Sequence, residues 1–67
     1  MKIINNTNLK YAELGAIIDK VIEESYGDTI YYGKVEIATL KFRGHIISVQ
    51  IRYLKRYVEW RFSEKNG

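Results

Sequence analysis

The chain has no cysteine, no proline, one histidine and one tryptophan in 67 residues. Without cysteine there are no disulfides and no thiolate metal sites, as suits a reducing compartment. A single histidine excludes a multi-histidine metal centre. No apolar run approaches the ~20 residues of a membrane-spanning helix. Met1 to Asn6 lack the apolar stretch of a secretory signal. A cytoplasmic protein with no membrane association and no cofactor is therefore expected. A glycine-rich phosphate loop is also missing, because Gly27-Asp28-Thr29 followed by Gly33-Lys34 does not have its spacing.

What is present suits one small domain spanning residues 1–67, too apolar at 46% to stay disordered. A core of this size supplies about 3–5 kcal/mol of net stability. With disulfides and metal excluded, self-association is the one common reinforcement left, which leaves a homodimer open.

The formal net charge is +3, and it is unevenly spread. Asn8 to Asp28 hold two lysines against five acids, whereas Lys41 to Arg61 hold six basic residues against one acid. The basic half points to an anionic partner.

The helix signal is strong. Tyr11, Leu14, Ile17, Ile18, Val21, Ile22 and Ser25 follow helical spacing, predicting an amphipathic helix over 9–26. One of Asn5, Asn6, Thr7 and Asn8 is expected to cap it, and Gly27 to end it. Gly15 inside it is expected to permit a close approach to the sheet or to a second helix. Met1 to Asn5 read either as a short edge strand or as a loose arm.

Beyond Thr29 the residues become β-branched and aromatic, and strands are predicted over 30–43, 45–54 and 57–63. The last two share a register in which Tyr53 meets Val58, Ile51 meets Trp60 and Val49 meets Phe62. The same register sets Arg52 opposite Glu59 on the other face. Lys55-Arg56 lacks the residues of a tight primed turn, so a longer loop is expected there. Leu40 and Phe42 belong to the core face, but Val35 and Ile37 have the opposite parity. A β-bulge near Ala38-Thr39 would reconcile them. The fold class is α+β: one amphipathic helix on a three-stranded antiparallel meander, order α-β-β-β. Trp60 is expected beneath the helix near Ile18 and Val21.

For enzyme chemistry the sequence offers little. His45 adjoins the Arg43-Gly44 turn, with Ser48 or Ser25 as the conceivable nucleophile, but no third residue orients the base. Glu36 and Glu59 lack the spacing of paired acid–base carboxylates. A non-enzymatic binding module is expected. Basic and aromatic residues interleave from Lys41 to Phe62, as nucleic-acid binding favours. Strand parity assigns Phe42, Tyr53, Trp60 and Phe62 to the core. It leaves Lys41, Arg52, Arg61 and Tyr57 on the uncovered face, with Arg43, Lys55 and Arg56 at loop tips. These seven residues are the candidate contacts to nucleic acid, or to an acidic or nucleoprotein partner. The alternative is a small phage or mobile-element accessory protein that inhibits a host machine, such as a defence nuclease, by protein contact.

Overall fold

The computed structural model describes residues 1–24 and 28–65. The chain is a small α+β fold with one helix on a mixed five-stranded sheet. In chain order the elements are β1 (Lys2–Asn6), α1 (Tyr11–Glu24), β2 (Asp28–Tyr32), β3 (Val35–Phe42), β4 (His45–Tyr53) and β5 (Val58–Glu64). The sheet order is β1-β5-β4-β3-β2.

The meander of β3, β4 and β5 is present, and its pairs are those read from the sequence: Tyr53–Val58, Ile51–Trp60, Val49–Phe62 and Arg52–Glu59. Two strands enlarge it. Residues 30–43 are not one strand, because the chain reverses at Gly33-Lys34. Gly33 has φ +60, which an L side chain rarely adopts, and Tyr32 pairs with Val35 across the turn. β2 is therefore an edge strand. At the other edge, Lys2–Asn6 form a strand that runs parallel to β5 rather than lying loose.

The expected bulge is absent. β3 pairs with β4 without a break from Val35–Arg52 to Phe42–His45. Val35 and Ile37 keep their opposite parity because they serve the other face, where Tyr32 and Ile30 of β2 lie beside them. An apolar patch confined to β2 and β3 on the uncovered side replaces the slip.

The core lies between α1 and the sheet. Leu14, Ile17 and Ile18 of the helix bury against Ala38, Leu40, Phe42, Ile47, Val49, Ile51, Trp60 and Phe62. Trp60 stacks on Phe62 with centroids 6.3 Å apart, and it is 5% exposed. The buried helical stripe is narrower than its apolar periodicity. Tyr11 and Ile22 are largely exposed. Ser25 and Gly27 lie outside the described residues.

The helix start is built differently from expectation. Lys10 is the cap residue, its carbonyl accepting the N–H groups of Glu13 and Leu14 at 2.9 and 3.0 Å. Glu13 Oε1 reaches back to accept the Lys10 N–H at 3.1 Å, one half of a capping box. Asn5 and Thr7 organise the preceding loop instead. The Asn5 side chain accepts from the Thr7 N–H and donates to the Leu9 carbonyl, and Thr7 Oγ1 accepts the Leu9 N–H. The chain needs this loop to climb from β1 at the sheet edge onto the sheet's face.

Gly15 has no close-packing role, since a Cβ placed there meets nothing within 4 Å. Gly15→Ala is therefore expected to stabilise the fold by about 0.5–1 kcal/mol through helix propensity alone. A rise in the urea midpoint with unchanged slope checks this, whereas a fall would indicate a contact that the open space around Gly15 does not provide.

Candidate functional site

The uncovered face is the candidate site. Its cross-strand rows follow from the register. One runs Lys2, Glu59, Arg52, Val35, Tyr32, and the next runs Ile4, Arg61, Gln50, Ile37, Ile30. Ser63, Ser48 and Thr39 follow, with Ile46 and Lys41 beyond them. Long cationic side chains thus stand beside half-buried aliphatic ones on an otherwise polar sheet surface.

Glu59 organises the electrostatics. It is 5% exposed, although it lies on the side away from the helix. Arg52 Nη1 lies 3.6 Å and Arg61 Nη2 3.5 Å from the same oxygen, Oε1. The side chains of the two arginines remain 43% and 42% exposed. The carboxylate lies low and the guanidiniums lie above it, so an approaching ligand meets positive charge first. Each contact is long and single-pronged, whereas a forked arginine–carboxylate pair makes two parallel bonds near 2.8 Å. The Nε of Arg61 is shut away from solvent with no hydrogen-bond partner. Glu59 therefore leaves donor capacity on both arginines unused.

The seven sequence-derived candidates do not all gather here. Arg52, Arg61 and exposed Lys41 share the face. Lys55, Arg56 and Tyr57 form the exposed β4–β5 loop at one end of it, closed by the Leu54 N–H bonding to the Tyr57 carbonyl at 3.0 Å. This is the longer loop expected around Lys55-Arg56.

Arg43 belongs elsewhere. It occupies the β3–β4 turn with φ 50, next to Gly44 at φ 83, so both central residues are left-handed as a type I′ turn requires. Its guanidinium lies 5.2 Å from the Phe42 ring centroid and reaches Glu13 Oε2 at 3.0 Å. Arg43 thus ties the turn to the start of α1, on the helix side. Lys2, which the sequence reading passed over, stands on the open face beside Glu59 instead.

The sequence reading also missed a concentration of exposed aromatics. Tyr31, Tyr32, Tyr53, Tyr57, Leu54, Ile22 and Met1 are all exposed at the end of the sheet where β2 and β4 finish and β1 and β5 begin. Tyr53 has the core-side parity that was expected, yet it is 47% exposed because the packed stripe of α1 does not extend over it. Adjacent Tyr31 and Tyr32 were the available signal: on an edge strand one of them must face each side.

On the helix side of that end, Val21, Ile22, Tyr31, Glu36, Ile51, Tyr53 and Trp60 line a groove of about 290 Å³. The Tyr53 hydroxyl donates to Glu36 Oε2 at 2.8 Å. Glu36 raises the pKa of both tyrosines above 10.0: through its charge for Tyr31, and first through the hydrogen bond for Tyr53.

No hydrolytic arrangement forms among the described residues. His45 and Ser48 sit at positions of opposite parity on β4, and His45 Nδ1 pairs with Glu64 Oε1. No three His, Cys, Asp or Glu side chains among the described residues come together to hold a metal ion. No helix among them is long and apolar enough to cross a membrane. Comparison of the chain with protein families, curated proteins and solved structures finds no match.

Proposed function

We propose that the chain is a non-enzymatic binding module whose uncovered sheet face engages nucleic acid, in single-stranded form. The observation that carries this reading is the layering at Glu59: a nearly buried carboxylate beneath two half-exposed arginines that it does not saturate. Lys2 and Lys41 add charge on the same face, and Lys55 and Arg56 add it at the rim. Tyr57 and Tyr32 offer rings on which bases can stack. The face of a five-stranded sheet is too broad to enter a duplex groove of about 12 Å, whereas unpaired bases can lie flat on it. Arg52, Arg61, Lys2, Lys55 and Arg56 would contact phosphates, and Arg43 would not.

Fluorescence anisotropy with labelled single-stranded RNA and DNA tests this. Neutralising about five phosphates predicts a slope near −3.5 in log affinity against log salt. No binding at low salt would sink the proposal.

The exposed Tyr31, Tyr32, Tyr53 and Leu54 favour a second reading, a protein interface at that end of the sheet. It predicts binding to a protein partner that persists after nuclease treatment and depends little on salt.

A further inference from the structure

The groove on the helix side shares no wall residue with the proposed nucleic-acid face and has the opposite electrostatic character. Among the described residues that line it, Glu36 is the one acidic side chain, half-buried between Tyr31 and Tyr53. Among the described residues, no cationic side chain lines the groove and no ion pair to Glu36 forms. The remaining walls are aliphatic or aromatic: Val21, Ile22, Ile51 and Trp60. The Tyr53 hydroxyl fixes one carboxylate oxygen at 2.8 Å, so the charge is held in place before any ligand arrives.

A carboxylate at the base of an aromatic wall has one complementary ligand class. An anion is repelled by Glu36. A neutral apolar ligand leaves the carboxylate desolvated and unpaired. An organic cation satisfies the charge and places its alkyl groups against the rings, where the negative ring faces attract it. Its weak hydration favours it over sodium, which would have to shed tightly bound water. The volume of about 290 Å³ admits such a head group together with the chain that carries it.

We propose that this groove is a binding site for an alkylammonium group, with Glu36 as the counter-ion and Tyr31, Tyr53 and Trp60 as the aromatic wall. The proposal stands apart from the nucleic-acid reading, so either can fail without the other.

The test follows tyrosine ring protons by NMR and Trp60 fluorescence during titration with tetramethylammonium, n-butylammonium and a short lysine-containing peptide, at constant ionic strength set with sodium chloride. Saturable binding with Kd about 0.1–10 mM is expected. Glu36→Gln should weaken it at least tenfold. Tyr53→Phe, which keeps the ring, should weaken it only about threefold, and circular dichroism should show both variants folded. Tighter binding of the peptide than of n-butylammonium assigns a protein-borne lysine as the source, and equal binding assigns a free amine. The proposal is overturned by the absence of saturation at about 50 mM ligand, or by a folded Glu36→Gln variant that binds as tightly as the parent.

Discussion

Phe62→Ala is expected to leave most of the chain unfolded at 25 °C. Phe62 is fully buried, stacks on Trp60, and lies opposite Val49 of β4 on one side and Asn5 of β1 on the other. It therefore packs where the parallel edge strand joins the meander. Truncating a buried phenylalanine costs about 3–5 kcal/mol through lost burial and the cavity left behind. A chain of this size has about 3–5 kcal/mol in total, so the loss consumes the whole margin. The readout is the native fraction by circular dichroism, together with a red shift of Trp60 fluorescence as its environment becomes wet. A cooperative transition within about 1 kcal/mol of the parent would mean that the site collapses around the gap.

Glu59→Gln is expected to move stability and affinity in opposite directions. The amide keeps the shape of the side chain but removes the negative charge beneath Arg52 and Arg61. Two guanidiniums are then left close together without compensation, at a cost of about 1–2 kcal/mol. The cost is kept low because both arginines are more than one-third exposed, so solvent screens them. For an incoming phosphate the change is favourable. A competing anion disappears, and affinity should rise about two- to fivefold at low salt, less at high salt. Urea denaturation and the anisotropy titration, made on the same samples, measure both effects. Lower stability with unchanged or weaker binding would show that Glu59 orients the arginines for their ligand rather than competing with it.

Some elements were legible in the sequence because two independent constraints agreed. In β4 and β5 one register satisfied an apolar face and the Arg52–Glu59 pair together, and the structure has that register. The helix was legible from Leu14, Ile17, Ile18 and Val21, whose spacing admits no strand. β1 and β2 were harder, since a strand of five residues provides too few alternations to establish a period. The parity of Val35 and Ile37 had two physical solutions. A bulge keeps one apolar face, whereas an added edge strand creates a second apolar row. Gly33 in a left-handed conformation decides for the strand. The candidate site was legible to the extent that parity sorts side chains between faces, which placed Lys41, Arg52 and Arg61 together. Arg43 escaped that logic because it sits in a turn, where parity has no meaning. Its partner Glu13 lies 30 residues away in the chain. The tyrosine-rich end was invisible for a related reason: it depends on where the packed part of α1 stops, and apolar periodicity continues past that point through Ile22.

The most direct test of the central claim is a side-chain NMR titration with a short single-stranded oligonucleotide at low salt. The guanidinium Nε–H signals of Arg52, Arg61 and Arg43 report the two sides of the sheet separately, and the Tyr57 ring protons report stacking. The account predicts saturable shifts at Arg52, Arg61 and Tyr57, with Arg43 unmoved in its contact with Glu13. Shifts centred on Arg43 and the helix, or no shifts at all, would contradict it.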